Sequence, residues 1–349
     1  MSATVALNRV FKGIPAVLDS IRTEVLDRSI VFSFDRSGYE RHQRMFRQDD
    51  LDVDARGRVC LVTGANSGIG FATAEALARR GASVWLLCRD AGRGRRALRE
   101  LRLRTGSDAL ELAQVDVSDL ASLRRFADGW GPTPVDVLIH NAGVLPDARQ
   151  VNSTGIESTL ATNVIGPFVL TQLLWARLAA SAAARVIFVS SGGMYAQRLD
   201  LDDLDWTRRR FDGVAAYAQT KRMQVVLAEL LAARAAGTPM TVHAMHPGWA
   251  DTPAVRTSLP RFHRWMASRL RSPEQGADTV VWLALSARVA AHNGAFWFDR
   301  VPQPTHLLPF TREATADRQA LWDLCARYVN PPPSRTATGR GARAGRTAT

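Results

Sequence analysis

Thr63-Gly64-Ala65-Asn66-Ser67-Gly68-Ile69-Gly70 decides the fold of this chain. An apolar run at 59–62 leads into it and a helical pattern at 69–80 leads out. A strand, a glycine turn and a helix start in succession bring backbone N–H groups and the helix's positive end to one point, a place suited to a pyrophosphate. Gly64 allows the tight turn, Gly68 the close approach of a ligand, and Gly70 close packing of helix on strand. Asn66, Ser67 and Ile69 complete the turn. The spacing G-x-x-x-G-x-G departs from the general G-x-G-x-x-G fingerprint, but its strand-to-helix context reads as dinucleotide binding.

Further along the chain the same alternation continues. Strand-like runs at 83–87, 110–114, 135–139, 185–189, 240–244 and 295–298 are separated by helical patterns near 93–104, 119–128, 156–180, 214–235 and 274–286. This predicts an α/β fold: a single doubly wound, Rossmann-type parallel sheet of about seven strands with helices on both faces. A last helix near 312–328 precedes Asn330-Pro331-Pro332-Pro333. The expected organisation is therefore an N-terminal extension at 1–55, a catalytic domain at 56–330 and a disordered basic tail at 331–349. The extension holds an amphipathic stretch at 5–26 whose interleaved charges argue against membrane insertion.

The second run, Val84-Trp85-Leu86-Leu87-Cys88, ends at Arg89, where the fingerprint expects an acid gripping the ribose 2′-hydroxyl. A cation there suits a 2′-phosphate, so NADP(H) is favoured over NAD(H); Asp90, next in line, keeps NAD(H) as the alternative.

Lysine occurs only twice among 349 residues, against 43 arginines, and one of the two closes Tyr217-Ala218-Gln219-Thr220-Lys221. A site that holds lysine against that bias needs a compact ammonium with a movable pKa. Tyr and Lys four apart share one helix face, the spacing of a phenol made acidic by a neighbouring cation.

The formal charge is +12, but the arginines are scattered, and Arg335, Arg340, Arg343 and Arg346 sit in an acid-free tail with no aromatic–basic recognition motif. No specific nucleic-acid partner is expected; the tail would attract anions of any kind, peripheral contact with an acidic membrane surface included. Cys60, Cys88 and Cys325 have no metal-like spacing and read as buried thiols of a reducing compartment. With no spanning apolar stretch and no secretory h-region, a cytoplasmic location is expected.

Together these segments resemble the short-chain dehydrogenase/reductase family over about residues 57–300. Thr63 to Gly70 matches its T-G-x-x-x-G-x-G turn, Asp116-Val117 its adenine-contacting D-V, and Asn141-Ala142-Gly143 the N-A-G that borders the cofactor and stabilises the sheet. Pro247-Gly248 and Thr252 match the P-G-x-x-x-T along the nicotinamide. The resemblance implies catalytic roles for Asn163, Ser191, Tyr217 and Lys221, with Tyr217 and Lys221 also touching the cofactor. In it Tyr217 is the acid/base, its pKa lowered by the ammonium and the nicotinamide; Asn163 holds a water linking Lys221 to solvent; and Ser190 is the alternative to Ser191. His140 stands where most relatives have asparagine and is expected to be structural. Ser37-Gly38-Tyr39-Glu40, Ser190-Ser191-Gly192-Gly193-Met194 and Met245-His246-Pro247-Gly248-Trp249-Ala250-Asp251-Thr252-Pro253 narrow the resemblance to the dehydrogenase/reductase SDR member twelve group.

The resemblance implies hydride transfer between NADP(H) and a carbonyl or alcohol; a non-catalytic NADP(H)-binding sensor or scaffold is the alternative. It also implies a homodimer or homotetramer. Met194, Tyr195, Leu199, Leu201, Leu204, Trp206 and Phe211, with Leu259, Phe262, Trp265, Met266 and Leu270 among arginines, are expected to border a bulky, lipophilic substrate. A lid helix that packs its apolar side on the sheet is the competing reading of the second group.

Overall fold

The side chains of β1 (Val59–Thr63) alternate between two cores: Cys60 and Val62 face one and Leu61 the other, all fully buried. A strand apolar on both faces belongs inside a parallel sheet covered on each side. The computed structural model describes residues 30–329; the amphipathic stretch at 5–26 and the tail from 331 lie outside the described residues. The other strands are β2 (Ser83–Cys88), β3 (Leu110–Gln114), β4 (Val137–His140), β5 (Arg185–Val189), β6 (Thr241–Met245), β7 (Phe296–Phe298) and β8 (Val301–Gln303). They form one sheet in the order β3-β2-β1-β4-β5-β6-β7-β8, parallel except for β8. The order reverses between β1 and β4, which opens a crevice beyond the carboxyl ends of those strands.

The eighth strand is one more than the pattern predicts. Val301-Pro302-Gln303 is three residues long, and its proline removes a ladder donor, which argues against a strand anywhere but at an edge. Asp299 and Arg300 make the reversal before it at φ of 44° and 64°.

The helices are α1 (Arg36–Gln43), α2 (Gly68–Ala78), α3 (Ala91–Thr105), α4 (Leu120–Gly129), α5 (Gly166–Leu173), α6 (Gly213–Arg234), α7 (Pro253–Ser258), α8 (Pro260–Met266), α9 (Pro273–Leu285) and α10 (Thr315–Val329), beside shorter turns. Leu77 of α2, Leu101 of α3 and Val280 of α9 cover the Cys60 face. Leu123 of α4, Phe168 of α5, Met223 of α6 and Leu321 of α10 cover the Leu61 face. Each fully buried side chain of this size contributes about 1.5–3 kcal/mol. Local signals set the ends: Asp90 caps α3, which stops at left-handed Gly106, and Ser272 and Gln275 form a capping box on α9. All three cysteines are buried free thiols.

The pattern at 156–180 reads as one helix, but the chain breaks it. A turn at Ser158–Leu160 leads into a π turn, Ala161–Ile165, before α5, and Trp175–Ala179 follows separately. Pro167 has no N–H to return an α-helical bond to the carbonyl of Asn163, four residues earlier. The widened turn instead sends the Gly166 N–H to the carbonyl of Ala161. Gly166 passes so close to Val117 that a Cβ would collide with its carbonyl.

Residues 30–43 lie on the carboxyl end of the sheet as the short helix Ile30–Phe34 and α1. The Asp35 carboxylate caps α1 at Gly38 N and accepts from Arg269 at 2.5 Å. Beneath it, fully buried Arg271 grips Asp299 at 2.6 and 2.8 Å, and His42 Nδ1 lies 2.6 Å from the same carboxylate.

Candidate active site

Thr63 and Asn141 build the floor of the crevice by tying the ends of β1 and β4. The Thr63 hydroxyl donates to Ile139 O at 3.2 Å and accepts from the N–H groups of Asn141 and Ala142, both at 3.0 Å. Asn141 Nδ2 returns bonds to the carbonyls of Thr63 (2.9 Å) and Gly64 (3.3 Å). The turn passes through left-handed backbone at Gly64 and Gly68, φ 66° and 57°. No side chain caps α2, so its first N–H groups stay available at the crevice mouth, as an anion site requires.

That crevice, about 530 Å³, is lined by Gly64, Asn66, Ser67, Gly68, Ile69, Arg89, Asp116, Val117, Asn141, Ala142, Gly143, Ser191, Tyr217, Lys221, Pro247, Gly248 and Thr252, all anticipated from the sequence. Gly70 and Asn163 stand behind the wall. A Cβ on Gly70 would run into Asn141 Nδ2 and the Gly64 carbonyl, so its role is the packing anticipated for it.

At the adenosine end Arg89 is exposed and faces the crevice. Asp90 also borders the crevice, but its carboxylate caps α3 by accepting from Arg93 N at 2.8 Å and lies 3.5 Å from the Arg93 guanidinium. Arg93 lines the same wall and was missed in the sequence, although an arginine three residues into a helix after Arg89 was visible there. Asp116 accepts from the N–H and hydroxyl of Ser118 at 2.9 and 2.7 Å, which fixes its turn.

At the other end α6 presents Tyr217 and Lys221 together, with the Lys221 ammonium 5.2 Å from the Tyr217 ring centre. Burial pushes the Tyr217 phenol up to about 12, opposed by a hydrogen bond with Ser191. Lys221 is itself buried and its amine is pushed down to about 7, which weakens it as a permanent cation. Ser190 and Ser191 both border the crevice, but the Ser190 hydroxyl is engaged, donating to Lys221 O at 2.8 Å.

Asn163 is fully buried and its side chain is consumed by protein. Oδ1 accepts from Val144 N at 3.0 Å, and Nδ2 donates to Val144 O at 3.2 Å and to the Thr220 hydroxyl at 3.0 Å. Its carbonyl accepts from Gln224 Nε2 at 2.7 Å, and Gln224 Oε1 accepts from Lys221 at 3.0 Å. Gln224 was not singled out in the sequence. A polar residue one helical turn past Lys221, leading into Val225-Val226-Leu227, was the available signal. His140 is structural, as expected: Nε2 pairs with the Thr171 hydroxyl at 2.7 Å, and burial pushes its pKa down to about 3.

The anticipated apolar border is largely core. Met194, Tyr195, Leu199, Trp206, Met266 and Leu270 are buried, Tyr195 donating to Pro304 O at 2.9 Å, while Trp265 is exposed. Leu259 and Phe262 do line the crevice, joined by Leu145, Val214, Trp249 and Val255. The neighbouring arginines are mostly paired within the protein: Arg256 with Asp251, Arg269 with Asp35 and Arg271 with Asp299.

A doubly wound sheet, an open helix N-terminus and a Tyr/Lys pair in one crevice define an oxidoreductase built around a nicotinamide dinucleotide. Residues 58–261 match the family model for short chain dehydrogenase, and the chain belongs to the short-chain dehydrogenase/reductase family, oxidoreductases that act on CH–OH donors with NAD(P). It is 44% identical over 310 residues to dehydrogenase/reductase SDR family member 12 of Homo sapiens, covering 86% of this chain and 96% of that one. Human retinol dehydrogenase 13 is 35% identical over 283 residues, covering 78% and 85%. Among solved structures, an uncharacterised protein from Mycobacterium paratuberculosis matches with a TM-score of 0.65 and 31% identity, covering 80% of this chain and 96% of that one. No helix among the described residues is long and apolar enough to cross a membrane.

Proposed function

We propose that the chain is an NADP(H)-dependent reductase or dehydrogenase for a bulky, lipophilic carbonyl or alcohol, with Tyr217 as the proton-transferring group. The observation that carries this reading is the convergence of Ser191, Tyr217 and Lys221 on the crevice that begins at the glycine turn. When bound, the dinucleotide supplies or accepts the hydride. The Tyr217 hydroxyl donates a proton to the substrate oxygen in reduction and takes it back in oxidation. Ser191 hydrogen-bonds the same oxygen and holds the phenol in line. Lys221 fixes the ribose and adds positive charge beside the phenol. Asn163 acts from behind the wall by fixing the backbone at Val144. Arg89 and Arg93, with Asp90 turned to capping, favour a 2′-phosphate. Leu145, Val214, Trp249, Val255, Leu259 and Phe262 form an apolar mouth suited to an apolar substrate, and the similarity to a protein named retinol dehydrogenase supports that class. The catalytic unit is 56–330.

The test is NADPH oxidation against a panel of aldehydes and ketones of increasing hydrophobic size, with fluorescence titration of NADPH and NADH. Tyr217→Phe should abolish turnover, by about 10³-fold or more if proton transfer is essential, and leave NADPH binding nearly intact. Arg89→Ala should weaken NADPH far more than NADH. Tight NADPH binding with no turnover on any carbonyl would favour the sensor alternative. An equal loss for both dinucleotides would remove the 2′-phosphate role.

A further inference from the structure

We infer that Gln224 is the positioning residue of the Tyr217/Lys221 pair, its side-chain amide bridging the Lys221 ammonium to the Asn163 carbonyl where a water was anticipated. The inference rests on the reading of Tyr217 and Lys221 proposed above. Three observations converge on it. Gln224 is fully buried, although it belongs to no part of the crevice wall. Its two amide ends are both engaged: Oε1 accepts from Lys221 Nζ at 3.0 Å and Nε2 donates to Asn163 O at 2.7 Å. The carbonyl it reaches is the one that Pro167 leaves without an α-helical donor.

Only a side chain with an acceptor at one end and a donor at the other can face an ammonium and a carbonyl together, and among buried residues of this length that means glutamine. Lys221 Nζ also donates to Val189 O at 2.8 Å. Among the described residues these are its two partners, so its third N–H is left for the crevice.

A neutral amide accepts a hydrogen bond from the amine but does not pass a proton on. Gln224 therefore anchors Lys221 rather than relaying protons from behind it.

The scarcity of lysine makes the test direct. The chain carries two lysines, Lys12 and Lys221. With ¹³C at the lysine ε-carbon, NMR shows two signals, and Lys12→Arg assigns them. Gln224→Glu, nearly isosteric, should raise the Lys221 titration midpoint by about one pH unit or more, because an anion replaces a neutral acceptor. Gln224→Leu should lower it by about one pH unit through loss of a hydrogen bond to the charged form. In Gln224→Leu kcat should fall about tenfold with KM and NADPH binding little changed, the mark of a mispositioned group.

Opposite shifts from one position support the anchor. Unmoved Lys221 titration in folded Gln224→Glu overturns it, and that variant decides the matter alone if Gln224→Leu does not fold. Shifted titrations in a protein that reduces no carbonyl would leave the anchor standing and remove the proposed function instead.

Discussion

The two ends of the crevice are built by different means. The cofactor floor is assembled from short motifs: Thr63 and Asn141, at the tips of neighbouring strands, exchange bonds that fix the glycine turn, whose Gly64 N–H also donates to Leu87 O at 2.8 Å. The wall opposite depends on the amino-terminal segment. The Phe34 ring sits where a Cβ on Gly192 would strike it, beside Ser191, and its centre lies 4.4 Å from His246 and 6.0 Å from Trp249. Phe34 O accepts from Trp249 N at 2.8 Å, while Arg271 donates to the carbonyls of Ser33 and Asp35. The segment thus braces both the Ser191 loop and the loop that would lie along the nicotinamide. The floor joins two short motifs 77–79 positions apart; the brace joins residues more than two hundred positions apart.

The largest expected effect strikes that brace. Arg271→Met would strip Asp299 of its main partner and orphan the carbonyls above it, costing about 3–5 kcal/mol in denaturant unfolding. Next come two changes that separate the ends. Phe34→Ala should cost about 3 kcal/mol and lower kcat about tenfold by loosening the Ser191 and Trp249 loops, with NADPH affinity nearly unchanged. Thr63→Val should cost about 1–3 kcal/mol, because it leaves two buried N–H groups without their acceptor, and should weaken NADPH binding first. Parallel losses of kcat and affinity in both variants would mean the two ends are one cooperative unit.

The same contrast explains what could be read in advance. The glycine turn, Asn141-Ala142-Gly143 and the Tyr217/Lys221 spacing were legible because each is a short motif within one chain segment. The preference for Ser191 over Ser190 came from the family resemblance, since both follow the end of β5 and both border the crevice. The brace was not, because nothing near Phe34 or His42 marks Asp299 as a partner until the chain has folded. The apolar run from Met194 to Trp206 was misassigned for another reason: proximity in sequence to Ser191 does not tell a core side chain from a crevice wall. The break at Asn163 was present in the sequence as Pro167, but the long apolar stretch around it reads as uninterrupted helix.

The smallest expected effect is a difference between differences, and it tests the burial of Lys221. Its amine is pushed down to about 7 from the ordinary 10.5. Between those values the unfolded chain binds more protons than the folded one, so the folded state gains stability as pH rises. Below about pH 7 both states are protonated and the full cost of burying the charge is present; above about 10.5 it has gone. Lys221→Met removes the charge at every pH. In cofactor-free protein its melting temperature relative to wild type should therefore be most favourable near about pH 6 and decline toward about pH 10. A constant or rising difference would show the ammonium to be better solvated than its surroundings indicate. The wall behind Lys221, Gln224 included, would then be open to water.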